Sequence, residues 1–287
     1  MNQETATAVS FAFSSIVHDF QLDNLAPLYY NGANYKIEVK PMPRFFLPPA
    51  AFEGVSAGDL VTVSGDDARH ISLALRMRVG DRVTLCDGAG VEYDGTLVSL
   101  TPTAVEVEIS APRTSTREMP VKVTLYQGLA KGDKMDTIIQ KAVELGVSRI
   151  VPVTTARCIM KMGDNADKKI ARWQKIANEA AGQCGRGNLP EVVPPISFKE
   201  AVAAAKSDTL SLFCYEELGK TQSLSALLPE SAPATLSFFV GPEGGFDPRE
   251  ADAAVEAGIR LCGLGPRILR TETASGYLLA ALSFFYE

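Results

Sequence analysis

Histidine is nearly absent from this chain: His18 and His70 are the only two in 287 residues. A histidine-based metal centre or a Ser-His-Asp triad has little to be built from. The five cysteines, at 86, 158, 184, 214 and 262, are odd in number and include no C-x-x-C pair. That pattern argues against a disulfide framework and a structural zinc site, and fits a reducing, cytoplasmic setting. No apolar run reaches the length of a membrane span, and the longest mostly apolar stretch, Tyr277–Tyr286, is too short. The phosphate-binding patterns G-x-G-x-x-G and G-x-x-x-x-G-K-[ST] are missing, as is the G-x-S-x-G of serine hydrolases. A generic nucleotide hydrolase is therefore a weak reading.

What is present is an ordinary globular composition, 46% hydrophobic and 22% charged, with a net charge of −6. The charge is unevenly spread. Residues 120–200 carry 13 Lys+Arg against 8 Asp+Glu, whereas residues 201–287 carry 6 against 11. A basic middle on an acidic protein can form a phosphate-attracting face, or simply solvated helix faces.

Three regions are expected. Residues 1–41 contain no arginine and lack the basic start and long apolar centre of a secretory signal. They read as a poorly ordered extension, with Met42 a plausible alternative start. Residues 42–118 read as a small β-barrel. Strands are expected at 61–63, 82–86, 92–100 and 104–109, with a helix capped by Asp66 or Asp67 and running to Arg76, and a linker at 111–119. From residue 119 to 287, strands at 121–126, 150–153, 209–214, 235–240 and 260–264 alternate with helices at 134–145, 166–184, 247–257 and 272–285. That order predicts an α/β domain with a mostly parallel sheet, whose ligands sit beyond the carboxyl ends of its strands.

Two loops stand at such ends. Gly241-Pro242-Glu243-Gly244-Gly245-Phe246 follows the strand ending at Val240. Its glycines permit close backbone approach to a ligand. Asp247-Pro248-Arg249-Glu250 then forms a helix start with Asp247 as N-cap and Glu250 completing a capping box. Leu264-Gly265-Pro266-Arg267-Ile268-Leu269-Arg270 runs from a strand into a helix opening at Thr271-Glu272. Glu243 would repel a polyphosphate but suits ribose hydroxyls, an adenine edge or a positive sulfonium. Either loop alone could be a tight solvent-facing turn.

Taken together, G-P-E-G-G-F and L-G-P-R-I-L-R-T-E-T-A resemble the signature of the SPOUT methyltransferases, and more narrowly of the ribosomal RNA small subunit methyltransferase E family. Met42-Pro43-Arg44-Phe45-Phe46, Lys131-Gly132-Asp133-Lys134-Met135-Asp136 with Glu144-Leu145-Gly146-Val147, and Trp173–Ala177 with Glu179–Arg186 resemble three further segments of that family. The resemblance implies a PUA-like RNA-binding barrel and a trefoil-knotted domain. It implies a homodimer in which each site is completed by the partner chain. It also implies S-adenosylmethionine as cofactor and methylation of N3 of a uridine in 16S ribosomal RNA within the small subunit. The cofactor residues it implies are Cys214, Tyr215, Gly241, Pro242, Glu243, Gly244, Gly245, Leu264, Gly265, Ile268, Leu269, Thr273 and Ala274.

The methyl donor is already activated, so no metal is required, and the task is alignment plus stabilisation of charge on the uracil oxygens. Arg270 is the candidate for that electrostatic role, with Glu272 as proton acceptor or as orienter of Arg270; a helix-start ion pair is the plain alternative. Arg44, Lys131, Arg157 and Arg186 are candidate RNA contacts, each also readable as a surface ion pair. Cys184 reads as a packed helix-end thiol, His70 as structural, and Trp173 as a core or interface anchor. The apolar final helix suits a subunit interface. A competing reading from another class is a ribosome-assembly RNA-binding protein that retains the fold without turnover.

Overall fold

A computed structural model describes residues 42–160, 162–163, 165–217 and 219–287. The extension expected at 1–41 lies outside the described residues.

The N-terminal sheet is built from β1 (Arg44–Phe46), β2 (Leu60–Ser64), β3 (Arg82–Cys86), β4 (Val91–Leu100), β5 (Ala104–Ile109) and β6 (Arg113–Thr114), with a short helix α1 (Gly65–Arg69) after β2. The strand order is β1-β3-β4-β5-β2, with β6 on β4. Val61 and Val63 of β2 point inward while Leu60, Thr62 and Ser64 do not, the period-2 pattern of a sheet buried on one face. Those inward residues join Phe45, Ile71, Leu85, Leu97, Val105 and Val107 in one core. Two expectations are corrected here. Asp66 and Asp67 lie inside the first turn of α1 rather than at its cap, and the helix passes into a π-type turn, His70–Ala74, instead of reaching Arg76. The segment read as a plain linker contributes β6, because Arg113 and Thr114 find free ladder positions on β4.

The second sheet takes β7 (Lys122–Gly128), β8 (Arg149–Thr154), β9 (Glu191–Val192), β10 (Ile196–Ser197), β11 (Leu210–Cys214), β12 (Gln222–Ser223), β13 (Thr235–Val240) and β14 (Arg260–Gly263). Its order is β10-β8-β7-β13-β11-β14-β12, with β9 on β8, and its pairings are parallel. The helices are α2 (Lys134–Glu144), α3 (Ala166–Cys184), α4 (Phe198–Ala205), α5 (Leu224–Leu227), α6 (Pro248–Glu256) and α7 (Thr271–Tyr286).

Both faces of this sheet are covered, which is why its central strands are mostly apolar. Val123, Leu125, Leu236, Phe238 and Val240 pack with α2, α3 and α7, where Trp173, Leu278, Leu279 and Leu282 are buried. Tyr126, Phe213, Phe239 and Phe246 pack with α4 and α6 on the other side. Tyr126 stacks on Phe239 with centroids 4.5 Å apart, and Phe213 lies 4.2 Å from Phe246. Phe246 is the last residue of the Gly241 loop, so aromatic packing worth about 2 kcal/mol anchors the loop at that end.

The helix after the loop starts where its sequence directs. The Asp247 side chain accepts from the Arg249 N–H, and Glu250 accepts the Asp247 N–H at 2.9 Å, the reciprocal capping box. Glu250 also accepts the Ala156 N–H at 2.8 Å, tying the cap to the loop after β8. Asp247→Ala is expected to cost about 1 kcal/mol and to lower Tm by roughly 2–4 °C. Thermal denaturation beside Asp247→Ser, which keeps an acceptor, checks this.

Candidate functional site

β7, β13, β11 and β14 end together, and the two expected loops leave from two of them. Their roots are stitched by buried hydrogen bonds. The Thr271 hydroxyl donates to the Gly241 carbonyl at 2.6 Å, and the fully buried Gln127 amide donates to the Thr271 oxygen at 2.9 Å. The Gly241 carbonyl also accepts Gln127 at 3.4 Å. Above this root the first loop closes as a turn, Gly245 N–H to Pro242 carbonyl at 2.9 Å, with Gly245 at φ +65°. That φ favours glycine. Gly265 (φ +98°) plays the same part in the second loop.

Glu243 is exposed on the first loop but not free. It accepts the Lys131 N–H at 3.1 Å, and the Lys134 ammonium lies 3.2 Å away. Partial burial works against its charge, yet these N–H donors and Lys134 outweigh it and hold the carboxyl below its usual range. The same ammonium is 3.9 Å from Glu272. Lys134, at the start of α2, therefore joins the first loop to the beginning of α7. The expected pairing of Glu272 with Arg270 is not made: Glu272 turns toward Lys134. The Arg270 guanidinium is exposed, with no hydrogen bond or ion pair among the described residues. Its carbonyl accepts the Thr273 and Ala274 N–H groups at 2.9 and 2.8 Å, fixing the start of α7.

The remaining expected cofactor residues sit around this root. Pro242 is buried and Gly244 exposed; Leu264 and Leu269 are half-buried against the core, and Ile268 is 88% exposed. Thr273 is exposed and Ala274 buried. Cys214 closes β11, beside Cys262 in register, and Tyr215 donates its N–H to the Cys262 carbonyl at 3.0 Å. Burial pushes the Cys214 thiol well up and that of Cys262 to about 12, so both are apolar floor rather than nucleophiles. Burial raises the Cys184 thiol too, as suits a packed helix end.

Of the expected RNA contacts, two face solvent. Lys131 is exposed, and Arg157 donates to the Gly244 carbonyl at 3.1 Å and lies 3.8 Å from Asp247. The other two are corrected. Arg44 is paired with the buried Glu92 at 2.6 Å, and Arg186 is 4% exposed with its guanidinium on Glu118 and on two carbonyls. Arg186 is buried with all three guanidinium nitrogens engaged, and Arg44 is largely buried with its charge on Glu92, so neither stands open to a phosphate as expected. His70 sits edge-on to Phe45 at 6.1 Å, a packing role.

A family model described as the RNA methyltransferase domain matches residues 117–283, and one described as the RNA methyltransferase PUA domain matches residues 63–110. The Ribosomal RNA small subunit methyltransferase E of Bacillus subtilis is 36% identical over 253 residues, 86% of this chain and 98% of that protein. The chain belongs to the ribosomal RNA small subunit methyltransferase E family. The family member from Neisseria gonorrhoeae, solved bound to S-adenosylmethionine, superimposes with a TM-score of 0.77 at 38% identity, covering 85% of this chain and 98% of that one. A Legionella pneumophila methyltransferase, solved with its bound cofactor SAM, gives a TM-score of 0.75 at 31% identity over 85% of this chain and 97% of that one.

Sequence reasoning missed several residues of this site. Gln127 and Gly128 were not among the expected ones, and Lys134, Glu216 and Phe246 lay in or beside expected segments without being given a role. Glu216 follows β11, and a Cβ on Gly245 would lie 3.0 Å from its carboxylate. A polar residue and a glycine at the carboxyl end of a buried strand, as in Gln127-Gly128, was the available signal. No helix among the described residues is long and apolar enough to cross a membrane.

Proposed function

We propose that this chain transfers the methyl group of S-adenosylmethionine to a base of ribosomal RNA, the target being N3 of a uridine in the 16S RNA of the small subunit. The observation that carries the reading is the stitched pair of loops, with an unpaired arginine at the point where they meet.

The residues fit the cofactor chemically. Gly241 and Gly245 leave backbone open where any side chain would crowd. Glu216, Glu243 and Glu272 supply carboxylates to a cofactor that carries positive charge, and a buried Glu272 oxygen lacks a hydrogen-bond partner. Backbone around Gly241–Gly245, Leu264–Gly265 and Ile268–Leu269 would hold it, with Cys214, Tyr215, Pro242, Gly244, Thr273 and Ala274 completing the wall. The bound cofactor supplies an electrophilic methyl group. Arg270 offers its guanidinium to the charge that builds on the uracil oxygens as N3 loses its proton. Glu272, whose partnerless oxygen lies 3.9 Å from the Lys134 ammonium, is the candidate acceptor for that proton. Lys131 and Arg157, on the rim of the first loop, suit phosphate contacts that position without reading sequence.

The knot and the homodimer belong to the same proposal. Tyr277 and Phe284, seven residues apart on α7, are 47% and 91% exposed, with Phe285 at 44%. An apolar stripe of that kind suits a second copy.

The test is incubation with labelled cofactor and small subunits lacking modification, followed by nucleoside mass spectrometry. Label is expected as 3-methyluridine. Label in another nucleoside would overturn the target, and no transfer with cofactor bound would favour a non-catalytic binding role.

A further inference from the structure

We propose that the segment Gly185–Leu189 is a clasp that fixes the barrel over the transferase sheet, with Glu118 as a positioning residue for methyl transfer to RNA. The inference rests on the function proposed above.

Gly185, left-handed at φ +83°, ends α3 and turns the chain toward the barrel. Glu118 then takes hold of the turn with both oxygens. One accepts Arg186 at 2.7 and 3.1 Å; the other accepts the Gly187 and Asn188 N–H groups, both at 3.0 Å. The remaining Arg186 nitrogen donates to the Val143 and Val147 carbonyls at 3.1 and 2.6 Å, around the carboxyl end of α2. Charge-assisted bonds of this kind are among the stronger ones, and a guanidinium fork held on all sides has one orientation.

On its other side the same turn belongs to the barrel. Asn188 forms bridges with Gly88 and Ala89, between β3 and β4, and the Leu189 N–H donates to the Gly88 carbonyl at 3.0 Å. Ser115 donates its N–H to Gly90 at 2.8 Å. Gly187 lies so close that a Cβ would stand 2.4 Å from Ser115 and 3.0 Å from Glu92. Glu92, 1% exposed, is itself clamped between Arg44 and Arg113 at 2.6 and 2.5 Å. Leu189 packs against the transferase core. One short turn is thus bonded to barrel and transferase together, and Glu118 is the side chain that holds it.

RNA gripped by the barrel must present its base at the loops of the transferase. A small rotation at the clasp displaces that base, and a misplacement of about 1 Å costs about a hundredfold. Cofactor binding, made by the transferase loops alone, is not subject to it.

The experiment compares the full chain with Glu118→Gln, Glu118→Asp, and Glu118→Gln combined with Ala89→Cys and Asn188→Cys. Paired bridge positions suit a disulfide. For Glu118→Gln, calorimetric cofactor affinity is expected to change by less than about twofold, while kcat/KM for small subunits falls between about ten- and a hundredfold, mostly through kcat, because the RNA still binds but presents its base out of line. Glu118→Asp should recover part of the loss. Oxidation of the cysteine pair should recover most of it, and reductant should remove the gain. Unchanged kcat, parallel loss of cofactor binding, or no gain on oxidation would each overturn the clasp. A wild-type chain that methylates no RNA sinks the functional reading instead. The clasp is then decided by hydrogen exchange at Gly187 and Asn188, which Glu118→Gln should speed and which must stay slow in Glu118→Asp.

Discussion

Arg270→Ala is expected to lower kcat by about 10²–10³ while leaving cofactor affinity and Tm nearly unchanged. The separation follows from where the side chain stands. Its guanidinium is exposed and has no partner among the described residues, so its removal leaves no buried group orphaned and disturbs stability little. Its backbone, not its side chain, caps α7 through the Thr273 and Ala274 N–H groups, and alanine retains that carbonyl. What alanine loses is a planar, permanently charged donor beside Glu272, at the place where the proposed mechanism puts the negative charge of a deprotonating uracil. Lysine returns the charge but not the fork, so Arg270→Lys should recover only part of the rate. Single-turnover transfer to small subunits, with calorimetry for the cofactor, checks both halves. Normal turnover by Arg270→Ala would remove the arginine from the mechanism.

Local signals in the sequence were enough for the strands at 82–86, 104–109 and 235–240 and for the long helix at 166–184, each found with those limits. The capping box at Asp247 and Glu250 was legible for the same reason, since both partners lie within one turn. An equal signal, Ser197 with Glu200, opens α4 and went unread, because the helix it starts has only eight residues. Pairings distant in sequence were a different matter. A basic residue reads alike whether it awaits a phosphate or is already bound. Arg186 takes its partner from Glu118, 68 positions away, and nothing in the sequence around either announces it. Glu272 likewise reads as the natural mate of Arg270 until α2 brings Lys134 to it. The glycines of the first loop were visible as a motif; the glycine beneath that loop was not.

That buried glycine, Gly128, carries the second large prediction. It ends β7, next to Gln127, and a Cβ there would stand 2.5 Å from the Pro242 ring, 2.6 Å from the Pro242 nitrogen and 3.0 Å from the Gly241 carbonyl carbon. These are ring and backbone atoms, which cannot swing aside as a flexible side chain would. The loop that owns them is pinned on both sides, by Thr271 at the Gly241 carbonyl and by Phe246 among Phe213 and Phe198. Gly128→Ala must therefore push Gly241-Pro242 off its root or break the Thr271 bond. Either change moves the backbone proposed to hold the cofactor by on the order of 1 Å, and a cofactor affinity at least about a hundredfold weaker is expected. Overpacking should also cost about 1–3 kcal/mol of stability. Gly163→Ala is the control, because a Cβ there meets nothing within 4 Å among the described residues; it should match the wild type in both respects. Calorimetric titration with S-adenosylmethionine and urea denaturation of the two variants decide the matter. A Gly128→Ala chain that binds the cofactor as tightly as the Gly163→Ala chain would mean that the loop over β7 is not the one that grips it.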